Sequence, residues 1–200
     1  MSRGEYSMCQ QNLIRNQNDV YFSFCNELYH MILKAYIDKY LLEAIDLYAQ
    51  EPEKENIQFS KSNWLVLEHI CELVKGDFAL LVWKIYLDSN EKANTITQLG
   101  KYLQKIGKGK TISTKISKQY NACLEDLKLV RRKFIAHNDK EKSGKKVDIK
   151  QLTFVLDEIK NMYNGLCDTS IDDRVQQITE SDITAVGHNC ILGLFTMIQG

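Results

Sequence analysis

The chain has 200 residues, of which 44% are hydrophobic and 26% charged, and its formal net charge is zero. This composition is typical of one ordinary globular domain and excludes a largely disordered chain. One proline and ten glycines are too few for a turn-rich β-sandwich or barrel and favour helices, while the apolar runs are too short to span a bilayer.

Two long helical segments are predicted at the start of the chain. Across residues 18–50, apolar residues recur at spacings of three, four and seven, which is typical of one long helix or of two joined by a kink. Pro52 and its polar neighbours end that region. A second helix is predicted over residues 60–74, and we expect residues 75–77, which include a glycine, to interrupt it.

Two shorter helical segments follow. Asp77 fits as the N-cap of an apolar segment over residues 78–87. The next helix is expected from Thr95 to Ile106, with Asn94 as its cap. Residues 107–109, Gly-Lys-Gly, predict its end.

The second half of the chain predicts two amphipathic helices and a final apolar one. The first starts near residue 113 or 114 and loses its apolar pattern at residues 136–139. Asp148 and Gln151 form a start similar to a capping box for the second, which ends at residues 164–165. The final helix is predicted over residues 182–198.

Together these segments predict an all-α domain, an up-down bundle of four main helices with additional short helices. We expect residues 1–165 to form the bundle. Residues 166–200 would form an irregular connection and the final helix, packed on that bundle.

The cysteines are interpreted as reduced thiols. None of the six forms a C-x-x-C pair, and their gaps follow no zinc pattern. Cys25, Cys71 and Cys123 lie in predicted helices, where a free thiol behaves as a small core residue. Residues 1–12 are polar and lack the apolar core of a signal peptide. We therefore expect a cytoplasmic protein with no membrane association, and no feature of the sequence predicts a metal or cofactor.

The charges are distributed unevenly along the chain. Residues 101–150 hold 15 Lys or Arg and 5 Asp or Glu, whereas the other 150 residues hold 11 and 21. Such a division predicts one basic face on an otherwise acidic body, and an anionic polymer is the usual partner of such a face. A solvated, lysine-rich surface is the alternative interpretation.

Residues 129–139 place one imidazole, two guanidiniums, an amide and a carboxylate at the end of a predicted helix. Such groups suit cleavage of an RNA phosphodiester without a metal. An imidazole takes the proton of a ribose 2′-hydroxyl or donates one to the leaving 5′ oxygen, and a guanidinium binds the phosphate as its charge grows. The candidate catalytic residues are Arg131, Arg132, His137, Asn138 and Asp139.

Arg131 and His137 do not converge within one straight helix, because they lie about 9 Å apart along its axis and about 120° apart around it. Pairing the same helix from two chains about a two-fold axis would build a compact site from two copies of each group. Taken alone, His137 also fits a capping residue favoured by the helix dipole. Arg131 and Arg132 likewise fit solvated surface charges.

Residues 131–139 read Arg-Arg-Lys-Phe-Ile-Ala-His-Asn-Asp. This stretch resembles the arginine–histidine motif of the HEPN superfamily, in particular the HEPN proteins of bacterial abortive-infection systems. A looser similarity covers residues 20–165 and does not extend to residues 166–200. The resemblance implies a homodimer with a composite active site and metal-independent endoribonuclease activity. Such proteins often act as toxins in phage defence, which makes an antitoxin protein a candidate partner.

The resemblance also implies catalytic roles for Arg131 and His137. Arg132 stands where many members have Asn, Asp or His, and either arginine fits the motif arginine. If the nuclease hypothesis holds, neighbouring lysines contact the RNA backbone. Those lysines are Lys108, Lys110, Lys115, Lys133 and Lys140.

Two other functions fit the same sequence. One is a non-catalytic helical module that binds RNA or a protein through the same basic face. The other is a protein–protein module whose last helix docks to a partner or to a second copy of the chain.

Overall fold

The structure, a computed structural model, describes residues 3–50, 61–90, 92–109, 113–136 and 147–199, with side chains described over 14–47, 65–90, 92–109, 113–131 and 147–189. The described residues are mostly helical and include no strand, so the predicted all-α class is confirmed. The α-helices are α1 (Arg3–Gln50), α2 (Lys61–Val82), α3 (Ile96–Lys105), α4 (Asn121–Ala136), α5 (Ile149–Leu166) and α6 (Glu180–Gln199). A π-helical turn (Trp83–Leu87) extends α2, and a 3₁₀ turn (Lys118–Tyr120) precedes α4.

Helices α1 and α5 hold the centre of the core. On α5, Leu152, Leu156 and Ile159 are fully buried at helical spacing, and burying each such side chain contributes about 1.5–3 kcal/mol. Helix α1 is one uninterrupted helix of 48 residues and packs against α2, α3, α5 and α6. Helix α6 approaches it closely at Gly187, where a Cβ would lie 3.0 Å from the ring of Tyr40.

Helix α2 differs from the prediction, because it continues through Gly76. Asp77 is not an N-cap; its carboxylate instead accepts from Lys34 Nζ of α1 at 2.6 Å. A glycine inside a helix costs about 1 kcal/mol. The burial of Phe78 and Val82 later in the same helix outweighs that cost. Local helix-breaking residues in the sequence do not reveal this burial.

The N-terminal ends of α3 and α4 also differ from the predictions. Thr95 caps α3, since its Oγ1 accepts from Gln98 N at 3.1 Å, whereas Asn94 donates to Glu27 of α1. Helix α4 begins at Asn121 rather than near residue 113. The segment before it donates backbone N–H groups to other helices and turns instead, as Ile116 N does to the Tyr86 hydroxyl at 2.9 Å.

The connection between α5 and α6 is irregular, as predicted, and two buried tyrosines bind it to the core. The Tyr21 hydroxyl donates to Leu166 O at 2.9 Å and accepts from Asp168 N at 2.7 Å. The Tyr163 hydroxyl lies 2.8 Å from its acceptor Gln176 O. These bonds satisfy backbone groups that would otherwise be buried without partners. The start of α5 follows the prediction, with Asp148 Oδ1 accepting from the backbone of the third residue of the helix.

Candidate functional site

Arg131, near the end of α4, lies against the indole of Trp83. The guanidinium carbon is 3.6 Å from the centroid of the Trp83 ring, and only 5% of Trp83 is exposed. A guanidinium stacked on a desolvated aromatic face gains up to about 2 kcal/mol. Arg131 Nε is buried and forms no hydrogen bond within the described part of the chain. The guanidinium is therefore held in one place while part of its donor capacity is unused.

Arg131 lines a cleft of about 560 Å³ between the π-helical turn, α3 and α4. Three of the side chains that line it are cationic, namely Lys101 of α3 and Lys128 and Arg131 of α4. Among the described residues of the lining, Asp88 supplies the one carboxylate. The cleft therefore presents a net positive lining in which two helices contribute cations from different parts of the chain.

The helical register explains why these cations share one cleft. Lys128 and Arg131 are three residues apart and lie on one face of α4, while buried Leu127 anchors α4 in the core. On α3, Leu99 and Leu103 are buried, which leaves Lys101 on the opposite side. The π-helical turn places Trp83 and Tyr86 in the cleft, and such turns occur frequently at functional sites.

The two lysines of the cleft differ in their present partners. Lys128 Nζ lies 2.6 Å from Glu125 Oε1, one turn earlier on α4, and both side chains are substantially exposed. An exposed pair of this kind is worth about 0.3–0.5 kcal/mol, so an incoming anion replaces it at little cost. Lys101 makes no ion pair with any described residue. Asp88 Oδ1 accepts from Asn90 N at 3.0 Å.

A second, apolar hollow of about 340 Å³ adjoins the other side of Arg131 and Trp83. Leu73, Leu80 and Val130 are among its lining residues. Exposed apolar side chains continue along α2, where Leu65 is 61% and Val66 59% exposed. Arg131 thus stands at the border between a basic cleft and an apolar surface.

The structure describes some of the predicted site residues and not others. Arg131 lines the cleft, and Lys108 and Lys115 are exposed but do not line it. Arg132 and Lys133 lie in α4, with side chains outside the described set. His137, Asn138, Asp139, Lys110 and Lys140 lie outside the described residues.

Sequence reasoning missed Trp83, Lys128 and Lys101 of this cleft. Trp83 carries no local signal, because a tryptophan in an apolar segment is interpreted as a core residue. Lys128 carries only a weak local signal, which is its spacing of three residues from Arg131. Lys101 lies in the basic part of the chain, residues 101–150, whose charge predicts a basic face without indicating this lysine.

The thiols next to this region are not nucleophiles. Cys123 is 3% exposed, and burial, together with the nearby carboxylates of Asp148 and Asp126, raises the pKa of its thiol to about 11. The hydrogen bond with the neighbouring Cys167 thiol, followed by burial, likewise raises the pKa of Cys25. A thiol that stays protonated at neutral pH is inert.

Comparison with protein-family models, curated proteins and solved structures found no match to the chain. Over the described residues, no helix combines the length and apolar character needed to cross a membrane. The described side chains also form no group of three or more His, Cys, Asp or Glu that would hold a metal ion.

Proposed function

We propose that the protein is a metal-independent endoribonuclease of HEPN type, in which Arg131 binds the scissile phosphate at the basic cleft. The observation that carries this proposal is the placement of the Arg131 guanidinium. It is stacked on Trp83 and bordered by Lys101 and Lys128. A solvated surface arginine would have neither the stacking nor the buried Nε.

The fixed guanidinium suits phosphoryl chemistry for a physical reason. Donors held in place before the reaction need no reorganisation when negative charge grows on the phosphate oxygens. A guanidinium also presents its donors as a rigid fork that matches phosphate geometry. The stacked position of the Arg131 guanidinium therefore supports this residue, the first arginine of the motif, as the one that contacts phosphate.

The reaction is written with RNA as its own nucleophile. The ribose 2′ oxygen attacks the adjacent phosphorus, its proton passes to a base, and the bond from phosphorus to the 5′ oxygen breaks. The 5′ oxygen takes a proton from an acid, which leaves a 2′,3′-cyclic phosphate and a 5′-hydroxyl. His137 is the base and the acid of this proposal, with one copy for each role.

A second copy of the chain supplies the other histidine. If the helix continued straight to His137, Arg131 and His137 would lie about 120° apart around it, and this proposal places the composite site between two copies of the chain about a two-fold axis. The proposal includes a cytoplasmic role as a toxin in phage defence, restrained by an antitoxin protein. The alternative is a non-catalytic module that binds RNA or a protein through the same cleft.

The His137→Ala variant tests this function. The parental protein is expected to cut 5′-labelled RNA in excess EDTA and to leave 2′,3′-cyclic phosphate ends. Loss of the imidazole is expected to slow cutting by about 100-fold or more. His188→Ala is the matched control, because that histidine is exposed on α6, and it should cut at the parental rate. Equal cutting by His137→Ala would refute the proposed mechanism, and RNA binding without cutting would favour the non-catalytic module.

A further inference from the structure

We infer that the cleft binds one unpaired nucleotide of the RNA beside the scissile phosphate, with Lys101 and Lys128 contacting the next phosphate of the strand. This inference rests on the proposed function and extends it from the reacting group to the form of the substrate. It assigns binding roles to two lysines that lie on different helices, α3 and α4, and predicts that single-stranded RNA is preferred.

The size and shape of the cleft favour a single nucleotide. Its volume of about 560 Å³ falls within the range of about 300–1,000 Å³ found for sites that enclose a small ligand. Its walls come from the π-helical turn, α3 and α4, so an occupant must enter a concave space. An A-form duplex keeps its bases paired and offers only a shallow minor groove, whereas an unpaired nucleotide is free to enter.

The charges of the lining determine where the phosphates bind in this proposal. Lys101 and Lys128 add two cations beside Arg131, and a positively charged groove is how proteins follow a single-stranded backbone. Asp88 repels a phosphate from its own position. The strand is therefore oriented with its phosphates toward the lysines.

Neutral groups complete the lining. Tyr86 is fixed because its hydroxyl accepts from Ile116 N at 2.9 Å, which gives the cleft a rigid aromatic wall for a base. Thr97 and Gln98 of α3 line the same space and provide side-chain groups that both donate and accept hydrogen bonds. The ring face of Trp83 that Arg131 covers is not available, so Tyr86 is the stacking partner of this proposal.

The test measures binding of a fluorescein-labelled, fully 2′-O-methylated oligouridine, which lacks the attacking hydroxyl and is not cut. The double variant K101A/K128A is compared with K84A/K105A. Lys84 of the π-helical turn and Lys105 of α3 are exposed but do not line the cleft. We expect at least about a tenfold loss of affinity for K101A/K128A and a salt dependence reduced by about 0.7 in logarithmic slope, the value for one lost single-strand phosphate contact. The control pair should bind as the parental protein does.

The outcomes separate this inference from the proposed function. If K101A/K128A binds as tightly as K84A/K105A, or if an unlabelled duplex competes as well as a single strand, the inference is wrong even when the parental protein cuts RNA. If the parental protein binds the oligouridine through these lysines yet cuts no RNA, the cleft assignment stands and the nuclease proposal fails. Thermal unfolding of each variant confirms that folding is unchanged, as expected for exposed lysines.

Discussion

Replacing Arg131 with alanine is expected to lower the rate of RNA cleavage by about 10²–10³-fold, the usual effect of removing one preorganised donor to a developing oxyanion. The loss follows from the contact with Trp83, which holds the guanidinium in the cleft, where it makes no ion pair with a described carboxylate. Arg131→Lys keeps the charge but loses the planar fork and the stacking, so it should recover only a small part of the activity. Single-turnover cleavage of labelled RNA measures both variants.

Arg174→Ala is the matched control for that measurement. The Arg174 guanidinium also lies over an aromatic ring, with 4.4 Å from its carbon to the Phe22 centroid, but it is paired with Asp172 and Asp19. It should retain the parental cleavage rate at temperatures below its unfolding transition. A parental rate for Arg131→Ala, or an equal loss for both arginines, contradicts the assigned role.

Asp38→Asn is expected to stabilise the folded protein by about 1–3 kcal/mol at neutral pH. Asp38 of α1 is 6% exposed, and its Oδ2 has no hydrogen-bond partner among the described residues. Burial, with further repulsion from Asp77, raises the pKa of this carboxyl from 3.8 to about 6, although Lys34 opposes the shift. Asparagine has the shape of the protonated acid and carries no charge to desolvate.

The pH dependence of this effect has a definite sign. Because the pKa of Asp38 is higher in the folded than in the unfolded chain, its protonated form stabilises the fold below about pH 4, and this contribution is lost as pH rises through about 6. Urea unfolding should therefore show a gap between parental protein and Asp38→Asn at pH 7 that closes toward pH 4. Asp173→Asn, at an exposed position, should show no such gap. A gap that widens on acidification would overturn this explanation.

Much of the helical content could be predicted from the sequence, because apolar periodicity reports directly on burial. Helix α5 is the clearest case, since its cap at Asp148 and its buried stripe are both local signals. The predictions are wrong where contacts with residues distant in the sequence determine whether a segment is helical. Gly76 remains helical because its neighbours are buried, and the segment before α4 is non-helical because its N–H groups bond to Tyr86 and Glu158.

The candidate site likewise has one part that the sequence predicts and another that only the packing determines. Arg131 could be selected from its local motif, since residue types at helical spacing are visible in a sequence. The contact with Trp83 could not be predicted, because it depends on how α4 packs against the end of α2 and on the π-helical turn there. Lys101 reaches the cleft only through the packing of α3, so a run of lysines predicts a basic face without indicating which lysine lines a cavity.

The most direct test of the central claim is the NMR signal of the Arg131 Nε–Hε group, identified by its loss in Arg131→Lys. Arg131 Nε is buried and unbonded within the described structure, so a phosphate that binds the terminal amino groups of the same guanidinium should shift this signal through the shared group. We predict a saturable shift of this signal on addition of the 2′-O-methylated oligouridine. The Arg174 signal, whose Nε donates to Asp172 at 2.9 Å, should not move. Binding of the oligonucleotide that leaves the Arg131 signal unchanged would contradict the account.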